Sequence, residues 1–188
     1  MKNSPQDSEK AERRISMSNT FRIIESVKAT IGKEGSNDPF EICRRKNINV
    51  VYHKLGTLKA YFFCVSRIMN IVINQDADDV AKKVLCAHEL GHAILHARLA
   101  SDNGFHEMNL FDATTPAEYE ANLFAAELLI YDEDILDLIR DNSYYEIAQR
   151  LSLPSQLVDF KCRIMQSKGY KITPPSISSS SFLKNTQI

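Results

Sequence analysis

Five residues, His88-Glu89-Leu90-Gly91-His92, constrain this chain more than any other stretch. They lie within residues 80–97, where Val80, Val84, Leu85, Ala87, Leu90 and Ile94 recur at helical spacing. On an α-helix, residues four apart are offset by about 40° and rise about 6 Å. His88 and His92 therefore project from one face and can grip one metal ion. Glu89 sits about 100° further round, beside that face, where it can reach a water without taking a ligand position. Two imidazoles with an adjacent carboxylate are the parts needed for metal-assisted hydrolysis. The apolar residues are expected on a core face and the histidines towards a cleft. Gly91 costs about 1 kcal/mol relative to Ala in a helix interior. Close approach by a neighbouring strand would give that cost a purpose; otherwise the glycine is simply tolerated. The motif is short enough to arise by chance, so the rest of the chain must support it.

At 188 residues the chain is expected to form one domain with tails, and 44% hydrophobic residues suffice for a core without disulfides. A net charge of −1 argues against a protein built mainly to coat nucleic acid. The four cysteines, Cys43, Cys64, Cys86 and Cys162, form no Cys-x-x-Cys and read as small buried thiols in a reducing cytoplasm. Cys86 is expected to point away from the histidine face. Residues 1–14 lack an apolar signal region, and the apolar stretch 122–131 is too short for a membrane span and contains Glu127. A cytoplasmic location is the expectation.

Residues 1–17 read as a disordered leader, polar and with little to bury. Phe21, Ile24, Val27 and Ile31 then predict a first helix, capped at Ser18 or Asn19 and ending near Gly32 and Gly35. Asp38-Pro39 predicts a second, short helix, an N-cap followed by proline at the first helical position. Residues 48–52 read as a strand. Residues 58–65 and 68–73 read as an antiparallel hairpin joined through Ser66-Arg67. After the motif helix, 101–115 reads as loop, with a turn at Asn103-Gly104. Thr115-Pro116 opens a helix to about Leu129. Residues 135–139 are helical, and 144–168 form a C-terminal helix pair. The main domain is thus expected over 18–170, with a Ser- and Pro-rich flexible tail over 171–188.

A catalytic zinc takes three protein ligands and leaves a position for water. His96 continues the series His88, His92, but lies about 12 Å along the axis from His88, too far to share an ion. It is instead a candidate for the cleft wall or for orienting a ligand. His53 and the loop residue His106 have no partner signal. A carboxylate on the next helix remains. Glu118 and Asn122 are one turn apart on one face, so Glu118 can bind the ion while Asn122 hydrogen-bonds a ligand. Glu120, pointing about 200° from Glu118, is the alternative ligand.

The block Cys86-Ala87-His88-Glu89-Leu90-Gly91-His92-Ala93-Ile94-Leu95-His96, followed by Glu118-Tyr119-Glu120-Ala121-Asn122-Leu123-Phe124-Ala125, resembles the ImmA/IrrE family of zinc metallopeptidases. The likeness extends back through Asp38-Pro39-Phe40 and Asn70-Ile71-Val72-Ile73-Asn74, covering roughly residues 20–165. It implies an α+β, zincin-like fold, with a small antiparallel or mixed sheet packed on a helical bundle that carries the motif helix. It implies Zn2+ as cofactor, His88, His92 and Glu118 as ligands, and Glu89 as catalytic base. It also implies limited cleavage of a helix-turn-helix repressor in the control of mobile elements or stress genes. The chain departs from the family pattern at Ala60, where glycine is common, and at Tyr131, where proline often ends the Leu-Leu segment.

Hydrolysis also needs a donor for the developing oxyanion, and Tyr119, Tyr131 and His96 are the candidates. The hairpin at 58–73 is expected to offer an edge strand for an extended substrate. A competing reading rests on residues 145–158, whose spacing resembles a helix-turn-helix. Arg150, Lys161, Arg163 and Lys168 would supply its positive charge, offset by Glu146 and Asp159. That makes direct DNA binding the lesser expectation. A metal-bound protein without proteolytic turnover is the remaining alternative.

Overall fold

Polar residues at the helix starts set the layout of the chain. The structure is a computed structural model that describes residues 5–97 and 115–172, with side chains from residue 18. Its elements are helices α1 (Pro5–Glu34) and α2 (Pro39–Arg45), then strands β1 (Asn49–His53), β2 (Ala60–Val65) and β3 (Ile68–Asn74). Helices α3 (Asp79–Leu95), α4 (Pro116–Leu129), α5 (Asp132–Leu138), α6 (Tyr144–Leu151) and α7 (Ser155–Ser167) follow. The Asp38 carboxylate accepts from the amides of Phe40 and Glu41 at 2.8 and 3.0 Å and starts α2. Asp78 does the same for α3 through Ala81, and Thr115 for α4 through Glu118. Ser143 and Glu146 form a reciprocal capping box at α6.

Helix α1 starts at Pro5, inside the 1–17 stretch read as a disordered leader. The local reason is legible in hindsight. Pro5 suits a first helical position, and Lys10-Ala11-Glu12-Arg13-Arg14 are strong helix formers that need no apolar face to favour a helix. The expected loop at 101–115, with Asn103-Gly104 and His106, lies outside the described residues apart from Thr115. So does the expected tail beyond Ile172, itself buried.

The sheet is mixed, in the order β1-β3-β2. β2 and β3 form the expected antiparallel hairpin, with Val65 opposite Ile68. Ser66 and Arg67 both have positive φ, 51° and 67°, the backbone of a two-residue turn matched to strand twist. β1 runs parallel to β3, from Asn49 opposite Asn70 to His53 opposite Asn74. Buried Asn74 ends the central strand. Its amide donates to the carbonyls of Gly56 and Leu58, both at 3.0 Å, and its side-chain oxygen accepts from the Asp76 amide. One side chain thereby ties the approach to β2 to the approach to α3, with its hydrogen-bonding capacity met in the core.

Helix α3 is the centre of the molecule. It packs on β2 and β3, on α2, and most extensively on α4. Every residue from Val84 to Ala93 is buried, so this segment has no solvent face, unlike the half-apolar helix its periodicity suggested. The Cys43 and Cys86 thiols meet at 3.9 Å between α2 and α3, and Cys162 is buried in α7, while Cys64 is half-buried. A Cβ on Gly91 would lie 3.2 Å from the Ala121 Cα and the Phe124 Cβ. The close neighbour is therefore a helix, α4, and not the strand expected from sequence.

The C-terminal helices are joined by a buried ion-pair cluster. Lys161, 1% exposed, meets Glu127 at 2.6 Å and Asp132 at 2.7 Å, and Lys168 meets the same two carboxylates at 2.7 and 2.8 Å. Arg163 pairs with Asp159 at 2.9 Å. Three of the cations considered for DNA contact are thus engaged within the fold. No described helix is long and apolar enough to cross a membrane.

The α3–α4 contact leads to a stability prediction. Gly91→Val should destabilise the protein by about 1–3 kcal/mol, the usual range for overpacking, because the facing atoms are mostly backbone. An unchanged denaturant midpoint would show that the two helices can move apart without cost.

Candidate metal centre

The site is built where the middle of α3 faces the first two turns of α4. His88 and His92 stand one turn apart on α3, and their Nε2 atoms lie 3.2 Å from each other. The Glu118 carboxylate of α4 lies 3.1 Å from the His88 Nε2 and 3.3 Å from the His92 Nε2. All three side chains are buried. Each offers one ligand atom within 4.8 Å of the others, a group that can hold a metal ion. A tetrahedral ion with bonds of about 2.0–2.1 Å places its ligand atoms about 3.3 Å apart. The two imidazole nitrogens are spaced close to that distance, and each meets a different oxygen of Glu118 at a similar one, so the residues present fit a zinc-sized ion. Asn122, one turn after Glu118, brings its side-chain oxygen to 2.9 Å from the His88 Nδ1. That contact sets the ring's tautomer, with Nδ1 donating and Nε2 free to ligate.

Glu89 is fully buried beside this triangle, and neither carboxylate oxygen has a hydrogen-bond partner among the described residues. Burial raises its pKa to about 8; the His88 charge opposes that rise and the Glu118 charge adds to it. Burial also works against charge on Glu118, but hydrogen bonds and charge from both histidines outweigh it and hold its pKa at about 2. Burial opposes protonation of His88 too, yet the contacts with Glu118 and the nearby Glu89 carry its pKa upwards. In His92 burial wins, and the pKa falls. Two carboxylates close together thus titrate far apart, one a stable anion and the other able to hold or release a proton near neutrality.

The remaining candidates separate clearly. Glu120 points away from the triangle, pairing with Arg22 of α1 at 2.5 Å and lying 3.6 Å from the His96 Nε2. It is Glu118, not Glu120, that meets the histidines. His96 lies next to His92, with ring centroids 5.6 Å apart. Tyr119 turns towards α7, its ring edge-on to Phe160 at 5.6 Å. Tyr131 caps α5 and is 54% exposed. His53 is exposed at the end of β1, with its Nδ1 against the Lys54 carbonyl. Arg22 was missed by sequence reasoning. It stands 98 residues from Glu120, between Phe21 and Ile23 on α1, and no local pattern marks it.

Comparison with known proteins agrees with this geometry. The model of a peptidase family described as IrrE N-terminal-like domain matches residues 43–163. Metallopeptidase ImmA of Bacillus subtilis (strain 168) is 29% identical over 160 residues, covering 83% of this chain and 93% of that protein. An uncharacterized immunity region protein 2 of Bacillus phage phi105 is 36% identical over 111 residues, covering 58% of this chain and 69% of the phage protein.

The state of Glu89 sets a pH dependence for the metal-free protein. Its folded pKa of about 8 lies above the ordinary carboxylate value, so the folded state keeps a proton that the unfolded chain releases. Stability is then highest at acid pH and falls as pH rises from about 5 to 8. Glu118 acts in another window, contributing stability that is lost as pH falls towards about 2. Glu89→Gln should flatten the decline above pH 5, raising stability at pH 8 by an amount on the order of a few kcal/mol. Thermal unfolding of chelator-treated protein across that range measures it. Parallel curves for the two proteins would mean that Glu89 is already ionised in the fold.

Proposed function

This chain belongs to the IrrE N-terminal-like peptidase family, and from that premise we propose that it is a zinc-dependent endopeptidase that cleaves a cognate helix-turn-helix repressor. The observation that carries the proposal is the convergence of His88, His92 and Glu118 beside a buried Glu89 that has no hydrogen-bond partner among the described residues. Three ligands leave a fourth position for water, as hydrolytic zinc sites require. The name of the phage relative, an immunity region protein, supports a role in the control of mobile elements.

In this reading His88, His92 and Glu118 hold the ion, and Asn122 keeps His88 presenting its Nε2. The zinc, when bound, supplies Lewis acidity, lowering the pKa of water towards about 7 and polarising a carbonyl. Glu89 takes the proton of the attacking water and delivers it to the leaving amine. Its place beside the ligands, on the same helix but off their face, suits both halves of that task. Among the described strands β2 lies at an edge of the sheet, the position at which an extended segment of substrate adds by strand pairing, which makes the main chain of a protein the recognised chemistry.

The test combines the purified protein, zinc and the repressor encoded beside its gene. Cleavage should stop on chelation and return with added zinc. Glu89→Gln should still bind zinc but turn over at least about 100-fold more slowly. A zinc-loaded wild-type protein that leaves the repressor intact would support a metal-bound protein without turnover instead.

A further inference from the structure

Outside the ligand triangle, three polar side chains, from α1, from α4 and from the end of α3, meet at its rim. His96 follows the last turn of α3, its backbone amide bonded to the His92 carbonyl at 2.9 Å. Its ring lies against the first turn of α4, bonded to the Ala117 carbonyl and 3.6 Å from the Glu120 carboxylate. Glu120 is 8% exposed and takes Arg22 of α1 on the same oxygen that faces His96. Ala117 and Glu120 bracket Glu118. Whatever holds those two residues sets the rotation of α4 about its axis and therefore the direction of the Glu118 side chain. Glu118 and Glu120 diverge by about 200° around the helix, so only one of them can face the histidines.

We propose that Arg22, Glu120 and His96 are positioning residues, a clamp that fixes the first turn of α4 so that Glu118 completes the metal triangle with His88 and His92. The clamp rests on the three-ligand reading of the site and extends it to groups that touch neither metal nor substrate. It also gives α1 a part in the site. Arg22 neutralises Glu120, which would otherwise be a second acidic group competing for the ion. His96, on the helix that carries both histidines, transmits their position to α4. The Arg22 side chain is half exposed, so its loss empties no core position, but it leaves the buried Glu120 carboxylate without its cation.

The experiment measures zinc affinity by competition with a chromophoric chelator, and the visible absorption of the Co2+-loaded protein as a report on ligand geometry. It compares wild type with Arg22→Ala, Arg22→Lys and Glu120→Ala. Arg22→Ala and Glu120→Ala should each weaken zinc binding about 10- to 100-fold, the usual effect of removing a group that orients a ligand. They should alter the Co2+ spectrum, and the metal-free variants should still unfold cooperatively, with Arg22→Ala the less stable because it leaves Glu120 buried without a cation. Arg22→Lys should restore most of the affinity, since it keeps the charge that Glu120 needs. The double variant should bind no more weakly than Glu120→Ala alone, because the two residues act in series. If wild type binds zinc tightly and both single variants bind it equally well with the same spectrum, the clamp is wrong and the ligand triangle stands. If wild type fails to take up one zinc per chain, the triangle itself falls, and the clamp with it.

Discussion

The contact between α3 and α4 at Gly91 is the constraint on which the site depends. Two of the three converging side chains come from one helix, but the third comes from another. It reaches them only because the helix backbones approach closely enough for a glycine to be needed. A side chain at residue 91 would push Ala121 and Phe124 away. Glu118 and Asn122 lie on the same helix as those two residues, so the separation would pass directly to the His88 contacts. The roughly 1 kcal/mol that glycine costs in a helix interior is therefore offset by a geometry no other residue permits.

That packing concentrates polar groups where water is scarce. His88, His92, Glu89, Glu118 and Asn122 are all buried in one small region of a mainly apolar core. Buried charge is costly unless it is paired, and most of these groups are paired with each other. Glu89 is the exception, lacking any described partner. Unsatisfied polar atoms of this kind concentrate where stability has been exchanged for chemistry. The contrast with Lys161 is instructive. It is equally buried, but two carboxylates enclose it and Lys168 balances them, the pattern of a structural cluster rather than a reactive one.

Much of the fold was legible in local chemistry. Asp38, Asp78, Thr115 and Ser143 cap helices by bonding amides a few residues away, so the sequence alone places those starts well. The hairpin turn at Ser66-Arg67 follows from two apolar runs separated by two residues, with no glycine needed to announce it. The polar N-terminal segment lacks an apolar stripe but is composed of helix formers, and it is helical from Pro5. Lys161, Arg163 and Lys168 look available in sequence, yet Lys161 and Lys168 face carboxylates on α4 and α5 and Arg163 faces one on its own helix.

What the sequence by itself determined is the short-range part of the site. Helical periodicity puts His88 and His92 on one face with Glu89 beside it, and puts Glu118 and Asn122 on one face of the next helix, because 3.6 residues per turn leaves no other arrangement. Only the tertiary structure decided that those two faces meet, that Glu118 rather than Glu120 turns inwards, and that Arg22 and His96 lie against Glu120. Those outcomes depend on the rotation and separation of three packed helices. Rotation and separation are properties of side chains distant in sequence filling one space, so no local spacing rule encodes them.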